Sequence, residues 1–107
     1  MITLKDFQSI DLRVATILSV QEHPDADRLY VMKINLGEEE RTIVAGIRSH
    51  YNKEDLEGRQ IVVVANLEPA TLRGVESEGM LLAARDENNE VILLSPSEKI
   101  TEGSRLG

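Results

Sequence analysis

Residues 60–80 read QIVVVANLEPATLRGVESEGM, and the chain changes character within this stretch. The run Gln60–Ala65 is continuous and β-branched, which is typical of a strand buried on both sides. The segment Asn66–Met80 that follows is polar and contains four residues that shape backbone turns: Asn66, Pro69, Gly74 and Gly79. It also carries hydrogen-bond donors on Arg73, Ser77 and the Asn66 amide. We therefore expect a strand that enters a rigid binding loop.

Two runs of alternating apolar and polar residues precede this strand, Asp11–Val20 and Leu29–Leu36, and Arg41–Ala45 is a third, shorter strand-like run. Alternation with a period of two predicts half-buried strands. In the first run four residues are expected to share the buried face: Leu12, Val14, Leu18 and Val20. In the second run Lys33 lies opposite the apolar residues and should point to solvent. Polar turns at 23–27 and 37–40 join the runs, so the three strands form a meander.

Two short helices are predicted. Thr3 is placed as a helix cap with Asp6 three residues on, so a helical turn should run through Phe7, whose ring is expected to plug one end of the core. Residues Ser49–Glu57 lose the alternation, and Gly58 is placed to end a helix there. The second helix separates the third and fourth strands.

The chain after the binding loop supplies a fifth strand and an extension. The apolar runs Met80–Arg85 and Glu90–Leu94 predict a bent hairpin, because the Asn-Asn pair between them tolerates the positive φ that a hairpin turn needs. Residues 95–107 are polar apart from Ile100 and Leu106. This extension either caps the fold or contacts a partner.

Three strands, a helix and two further strands follow one another as in an OB-fold. The predicted class is therefore all-β: a five-stranded Greek-key barrel, with one short helix between strands 3 and 4 and a C-terminal extension, as a single domain over residues 1–107. OB-folds bind oligonucleotides and oligosaccharides with one strand face and the adjoining loops, but a fold alone does not decide function.

The composition is that of a folded globule, with 41% hydrophobic and 29% charged residues. The net charge of −7 disfavours binding to nucleic acid, because proteins bind its phosphates mainly through Lys and Arg. Basic residues nevertheless recur singly on or beside predicted strands, which permits one basic face: Arg13, Lys33, Arg48, Arg73 and Arg85.

The lack of cysteine excludes disulfides and thiolate metal sites. Without a signal-peptide pattern or an apolar run of bilayer length, we expect a cytoplasmic protein that does not contact membranes.

The sequence contains no convincing pattern for catalysis, a metal or a cofactor. His23 with Asp25 and Asp27 lacks further ligands and lies in a proline turn. His50 beside Ser49 lacks the acid and the nucleophile-elbow context of a catalytic triad. The glycines at 74 and 79 lack the following Lys-Ser or Lys-Thr of a phosphate-binding loop. We therefore predict a protein that is not an enzyme and that uses no metal and no cofactor.

Four segments of the chain resemble one family: DLRVATI at 11–17, HPDADRLYV at 23–31, TIVAGI at 42–47 and NLEPATLRGVESEGM at 66–80. They are similar to the tRNA-binding domain that methionyl-tRNA synthetases carry at the C-terminus or as a separate chain. The same domain occurs in free-standing structure-specific tRNA-binding proteins and in the endothelial monocyte-activating polypeptide group. The resemblance extends in order over residues 7–94, which is nearly the whole predicted domain.

The resemblance implies an OB-fold that binds tRNA by its overall shape, forms a homodimer and has a methionyl-tRNA synthetase catalytic chain as a partner. The family's elements fall on these positions: NL-x-P on Asn66, Leu67 and Pro69, SEGM on Ser77 to Met80, and the basic position before a glycine on Arg73. The serine that is usual in the family's SGI segment is Ala45 here. A hydroxyl contact at that position is therefore not expected.

Six residues are candidate tRNA contacts: Arg73, Ser77, Asn66, Lys33, Arg85 and Arg48. The planar guanidinium of Arg73 suits phosphate oxygens; the alternative is a solvated arginine, or one paired to Glu76 or Glu78. Asn66 and Ser77 either contact RNA or bond their own loop backbone. The other three cations either contact RNA or are solvated.

Four further residues are predicted to shape the loop: Pro69, Gly74, Gly79 and Met80. Met80 is also expected to belong to the core.

The aromatic residues are only Phe7, Tyr30 and Tyr51. Proteins that bind single strands rely on aromatic stacking, so folded RNA read through backbone and 2′-hydroxyl contacts suits this composition better. The alternative function is that of the CsaA-type export chaperones, a sister group that binds unfolded polypeptide as a dimer. Their loop carries a Phe-Pro-Pro type sequence where this chain has Asn-Leu-Glu-Pro. The loop therefore favours the tRNA-binding branch.

Overall fold

The computed structural model describes residues 1–107 and consists mostly of short β-strands. The elements follow one another in this order: α1 (Leu4–Gln8), β1 (Leu12–Glu22), β2 (Tyr30–Asn35), β3 (Glu40–Ala45), α2 (Lys53–Leu56), β4 (Gln60–Val64), β5 (Ala70–Leu72), β6 (Val75–Ser77), β7 (Met80–Leu81), β8 (Ala83–Arg85) and β9 (Val91–Leu93). Neither helix has the length and apolar character needed to cross a membrane.

Five of the strands form one antiparallel sheet in the order β3-β2-β1-β4-β7. The long strand β1 pairs over residues 12–16 with β4 and over residues 16–22 with β2, so it belongs to both halves of the sheet and lets it curl. Beyond β3 the chain at Glu78 lies against this edge of the sheet, because the Glu78 N–H donates to the Thr42 carbonyl at 2.8 Å. The curled sheet confirms the predicted OB-type barrel.

The core lies inside the curled sheet. Its most completely buried large side chains come from β1 to β4 and from α2: Ile17, Met32, Ile34, Ile43, Leu56, Ile61 and Val63. Removing each of them from water contributes about 1.5–3 kcal/mol. The predicted faces of β2 are confirmed, since Tyr30, Met32 and Ile34 are buried while Lys33 is exposed.

The predicted buried face of β1 is wrong in its middle. The register with β2 shifts between Ile17 and Ser19, so the alternation changes phase there. Ile17 is fully buried, whereas Leu18 is 42% exposed and does not share the face of Val14 and Val20. Such a bulge depends on the pairing with the neighbouring strand, and a pattern read along one strand does not show it.

Both helices differ from their predictions. Thr3 caps α1 as expected, with reciprocal hydrogen bonds to Asp6, but α1 buries no residue. The prediction that Phe7 plugs the core is wrong: it is 37% exposed, because the curled sheet leaves α1 outside. Helix α2 covers only four residues of the predicted range Ser49–Glu57, since the N–H groups of residues 50 and 51 form a turn onto the Ile47 carbonyl.

The fifth predicted strand is divided by a bend at Leu82. Strand β7 pairs with β4, while β8 and β9 pair as a separate ribbon. The Leu82 N–H donates to the Val62 carbonyl at 2.9 Å, and the Leu82 carbonyl accepts from the Leu94 N–H at 3.0 Å, which holds the ribbon to the barrel. Asn89 has φ 62°, so the positive φ expected for the Asn-Asn pair is confirmed.

Residues 99–107 form a C-terminal strap along β1. The Gly103 N–H donates to the Val14 carbonyl at 2.7 Å, and the Val14 N–H donates to the Ser104 carbonyl at 2.8 Å. The side-chain amide of Gln60 holds the start of the strap through both the N–H and the carbonyl of Ile100. Packing onto the barrel, one of the two expectations for this extension, is thereby confirmed.

Candidate nucleic-acid interface

The segment between β4 and β7 is a β-hairpin rather than an irregular loop; we call residues 70–77 the arginine hairpin. Its tip residues, Arg73 and Gly74, both have positive φ, 52° and 89°, as a two-residue type I′ turn requires. Glycine adopts this conformation readily, but for arginine it costs about 1 kcal/mol. Local strain of this kind is typical of functional positions.

Two arginines from distant parts of the chain hold the turn between β1 and β2, residues 23–29, which we call the arginine-held turn. Arg73 Nη2 donates to the carbonyl of Asp25 at 3.0 Å, and Arg48 Nη1 donates to the carbonyl of Ala26 at 3.3 Å. Arg48 Nη2 also forms an ion pair with Glu22 at 2.9 Å. The structure therefore brings together two of the predicted contact residues.

Arg28 is a third arginine at this place, and it was not predicted from the sequence. It lies exposed on the arginine-held turn, and its carbonyl accepts from the Arg48 N–H at 3.3 Å. It is the one arginine or lysine in HPDADRLYV, which is the signal that could have identified it. Asp25 and Asp27 are exposed on the same turn, so the surface carries charges of both signs.

Arg73 keeps most of its hydrogen-bonding capacity free. A guanidinium has five donors in a planar fork, and here it forms one hydrogen bond, to the Asp25 carbonyl. The alternative in which Arg73 pairs with Glu76 or Glu78 is not found, because no carboxylate lies within ion-pair distance of it. The remaining N–H groups of this exposed side chain suit the oxygens of a phosphate.

Ser77 and Asn66 bond the protein's own backbone. Ser77 is 4% exposed, and its hydroxyl accepts from the Val44 N–H at 2.9 Å and donates to the Gly79 carbonyl at 3.0 Å. The Asn66 amide accepts from the Asp11 N–H and donates to the Ser9 carbonyl, both at 2.8 Å. Ser77 thus bonds its own loop at Gly79 and also β3, whereas Asn66 bonds the segment before β1 rather than its own loop.

The four residues assigned to loop shaping have different environments. Gly74 forms the hairpin tip, and a Cβ on Gly79 would lie 3.1 Å from the Val64 carbonyl oxygen, so the close approach of this segment to β4 favours a glycine. Pro69 is exposed just before β5. The expectation that Met80 belongs to the core is wrong: it is 50% exposed, because β7 packs Leu81 rather than Met80 against the core.

The two remaining predicted contacts, Lys33 and Arg85, lie apart from the arginines. Lys33 is exposed on β2, where Ser19 of β1 and Thr42 of β3 are its register partners and line a shallow groove with it. Arg85 is exposed on the β8–β9 ribbon and makes no hydrogen bond with the arginine-held turn or the arginine hairpin. The structure therefore brings Arg48 and Arg73 together but not Arg85.

The remaining polar chemistry is internal. No group of three or more His, Asp or Glu side chains is close enough to hold a metal ion, and every buried side-chain polar atom has a hydrogen-bond partner. The Tyr30 hydroxyl donates to the Tyr51 carbonyl at 2.8 Å, and the Tyr51 hydroxyl accepts from the Leu93 N–H at 3.1 Å. Both tyrosine hydroxyls thus tie parts of the barrel together.

Comparison with known sequences points to one family. Residues 12–105 match the model of a family described as a putative tRNA binding domain. The chain is 51% identical over 105 residues to the methionine–tRNA ligase of Thermococcus onnurineus and 48% identical over 105 residues to that of Thermotoga maritima. The alignments cover 98% of the chain but only 14% and 16% of the two ligases. The chain therefore spans a small part of the curated relatives that it matches.

Solved structures share the fold over nearly all of the chain. A MetRS-related protein from Pyrococcus horikoshii aligns with a TM-score of 0.95 at 32% identity, covering 100% of this chain and 98% of that one. The chaperone CsaA from Bacillus anthracis aligns with a TM-score of 0.90 at 33% identity, covering 100% and 99%. The C-terminal domain of Plasmodium vivax p43 aligns with a TM-score of 0.86 at 39% identity, covering 95% and 62%.

Proposed function

The chain belongs to the family of putative tRNA-binding domains, and on this premise we propose that it binds folded tRNA through the arginine hairpin and the arginine-held turn. One observation carries the proposal: Arg73 and Arg48 donate to successive carbonyls of the same turn, beside Arg28. Three guanidinium groups are thereby gathered around one turn of a chain whose net charge is −7. The family model describes a binding domain, and we propose no catalytic chemistry for the chain itself.

Recognition at this surface rests on the RNA backbone. Arginine N–H groups bind phosphate oxygens and displace counterions, so the affinity should fall as salt is raised. The hydroxyls of Tyr30 and Tyr51 are hydrogen-bonded within the barrel, and Tyr30 is buried, so the surface lacks the row of stacking aromatics that single-strand binders use. A folded RNA, whose phosphates have fixed relative positions, suits a rigid set of cations better.

The proposed contact surface has a centre and two outlying parts. Arg73, Arg48 and Arg28 form the centre. Lys33 extends the surface along the outer face of β2, and Arg85 is a more distant contact on the β8–β9 ribbon. Ser77 and Asn66 belong to the proposal only as residues that hold the hairpin and the preceding loop in place.

A competition titration tests the proposal. The purified chain is titrated into folded tRNA at two salt concentrations, with an unfolded single strand of equal length as competitor. The proposal expects salt-sensitive binding that prefers the folded tRNA. A folded protein that does not bind at low salt, or that binds the single strand equally well, would contradict it.

We propose that the chain works beside a methionyl-tRNA synthetase catalytic chain, in the cytoplasm, where it aids tRNA capture. The support is that the methionine–tRNA ligases share with this chain the region that it covers. A weak RNA contact adds to the affinity of a linked or associated catalytic chain by raising the local tRNA concentration. Adding the chain to such a synthetase at low tRNA concentration should raise kcat/KM for tRNA, and an unchanged value would count against the association.

We further propose that a second copy of the chain covers an apolar surface formed by the N-terminal segment and the end of the strap. Its side chains are exposed or partly exposed, and we call them the N-terminal apolar patch: Ile2, Leu4, Phe7, Ile10 and Leu106. Phe7, Ile10 and Leu106 line one shallow groove. A helix as short as α1 is marginal in water unless its apolar side chains are packed. A two-fold dimer would pack them and present two arginine hairpins to one tRNA.

Binding of unfolded polypeptide is the second candidate function. It is favoured by the similarity to the CsaA structure and by the exposed apolar side chains of the N-terminal apolar patch. The two functions differ in a simple assay, in which the purified chain is mixed with an aggregating denatured client, with or without folded tRNA. Suppression of aggregation by a chain that ignores tRNA would favour the chaperone.

A further inference from the structure

His23 is one of three buried polar residues and is 3% exposed. Its ring Nδ1 lies 3.0 Å from the N–H of Asp25, and its Nε2 lies 3.0 Å from the carbonyl of Leu72. A backbone N–H can only donate, so Nδ1 is the unprotonated acceptor. The ring proton is then on Nε2, where it is donated to the Leu72 carbonyl. Both nitrogens of the neutral ring are thereby used.

These bonds close a cycle around the hairpin tip. His23 donates to Leu72, the next residue Arg73 donates back to the carbonyl of Asp25, and the Asp25 N–H donates to His23. The bonds from His23 to Leu72 and from Arg73 to Asp25 are the only hydrogen bonds that join the arginine-held turn to the arginine hairpin. His23 therefore supplies the one hydrogen bond between them that does not use the Arg73 side chain.

We propose that His23 is a positioning residue for tRNA binding, which clamps the hairpin tip against the turn and so fixes the direction of Arg73. The proposal rests on the proposed function of this surface. The base of the hairpin is attached to β3 through the hydroxyl of Ser77 and the carboxylate of Glu78. A two-stranded hairpin is only marginally stable by itself in water. Without the clamp the tip has more conformations to lose on binding, which weakens affinity.

Two amide substitutions separate the two bonds of the ring. The amide of asparagine ends near the position of Nδ1, so His23→Asn can still accept from Asp25 and keep the turn, as in an Asx-turn, but cannot reach Leu72. The amide of glutamine is one methylene longer and ends near the position of Nε2, so His23→Gln can still donate to Leu72. Thermal unfolding of both variants shows whether each is folded before its binding is compared.

The expected result is that His23→Asn binds folded tRNA about two- to tenfold more weakly, the effect of one hydrogen bond, while His23→Gln binds like the parent chain. The loss should disappear in an Arg73→Ala background, because His23 acts through Arg73. Parent-like binding by His23→Asn, or a loss that persists unchanged without Arg73, overturns the proposal and leaves the tRNA-binding function standing. A parent chain that does not bind tRNA overturns both.

A measurement on the unsubstituted protein makes the proposal independent of whether the variants fold. The ¹⁵N NMR shifts of the His23 ring distinguish a proton on Nε2 from one on Nδ1. A proton on Nε2 that exchanges slowly with water is expected for the clamp. A proton on Nδ1 cannot coexist with acceptance from the Asp25 N–H and would overturn the proposed geometry.

Discussion

Arg73 Nη2 lies 3.0 Å from the carbonyl oxygen of Asp25, 48 residues earlier in the chain. This bond ties the tip of the arginine hairpin to the arginine-held turn and leaves most of an exposed guanidinium free. Arg48 donates to the next carbonyl along the same turn. Two backbone carbonyls, rather than carboxylates, thus receive these bonds, and Arg73 keeps its full charge available for a phosphate.

Replacing Arg73 with asparagine should separate stability from binding. Asparagine tolerates the left-handed conformation better, which offsets the lost bond to Asp25, so the free energy of unfolding should change by less than about 1 kcal/mol. The tRNA affinity should fall about two- to tenfold. Urea unfolding and tRNA titration of the same preparation measure both quantities.

Gly74→Ala is the control for Arg73→Asn, because it should change stability without removing the arginine. It keeps the guanidinium but places a Cβ at φ +89°, so it should lower the free energy of unfolding by about 1 kcal/mol. An Arg73→Asn variant that loses stability and keeps its affinity would mean that the arginine serves the fold and not the RNA.

Removing a carboxylate from the arginine-held turn should strengthen RNA binding. Asp25 makes its hydrogen bonds here through its backbone N–H and carbonyl, so Asp25→Asn should preserve the geometry of the turn. The loss of one repelling charge near the bound phosphates should raise affinity about twofold at low salt, and less at high salt. Glu98→Gln, exposed just before the strap, makes the same charge change away from the proposed contacts and should have a smaller effect. Equal gains for both substitutions would indicate that only net charge matters.

Ser77→Ala should affect folding rather than binding. The substitution removes the acceptor of the Val44 N–H in a buried position, which should lower the free energy of unfolding by about 1–3 kcal/mol. Affinity for tRNA per folded molecule should remain within about twofold of the parent value, less than the loss of one hydrogen bond typically causes. Ser97→Ala, at an exposed site whose hydroxyl has no hydrogen bond, is the control for the loss of a hydroxyl alone. A stable Ser77→Ala variant with weakened tRNA binding would return Ser77 to the contact surface.

Gly103→Ala should detach the C-terminal strap. A Cβ on Gly103 would lie 2.2 Å from the Leu36 carbonyl oxygen, and the residue has φ +84°. Both effects act against the bonds to β1, so the free energy of unfolding should fall by about 2–4 kcal/mol in urea unfolding. Gly107→Ala, which has open space around it, should leave stability unchanged. Equal stability of the two variants would show that the strap contributes little to the fold.

Phe7→Asp should test the proposed dimer. A carboxylate in the centre of the N-terminal apolar patch would be buried without a partner in a two-fold interface, so sedimentation equilibrium should show a monomer at concentrations where the parent chain is a dimer. Phe7 contributes nothing to the core, so thermal unfolding of the monomer should change little. A dimeric Phe7→Asp variant, or a monomeric parent chain, would remove this patch from any self-association.

The strand order and the direction of Lys33 could be predicted because both depend on local alternation and on turn residues. The bulge between Ile17 and Ser19 could not, since only the pairing of β1 with β2 defines it. The apolar character of Phe7 predicts burial, but the curled sheet closes its core without this side chain. The local sequence alone does not distinguish an apolar residue of the core from one that the fold leaves exposed.

The candidate site is only partly predictable from the sequence, which indicates Arg73 and Arg48 but misses Arg28. Arg73 and Arg48 were identified from their residue type and position, although their convergence on one turn is a long-range property. The bonds of Ser77 to Val44 and of Asn66 to Asp11 join residues 33 and 55 positions apart. The local sequence indicates that such side chains form hydrogen bonds. Only the fold shows that their partners are backbone groups of the same protein.

The decisive measurement is the salt dependence of tRNA binding by the parent chain, Arg73→Ala and Lys99→Ala. Lys99 is exposed at the start of the strap, forms no ion pair, and provides the same change of charge away from the arginine hairpin and the N-terminal apolar patch. We expect that Arg73→Ala weakens binding and lowers the slope of log K against log salt by about 1, while Lys99→Ala leaves the slope near the parent value. Identical slopes for the parent chain and Arg73→Ala would contradict a phosphate contact at the hairpin tip.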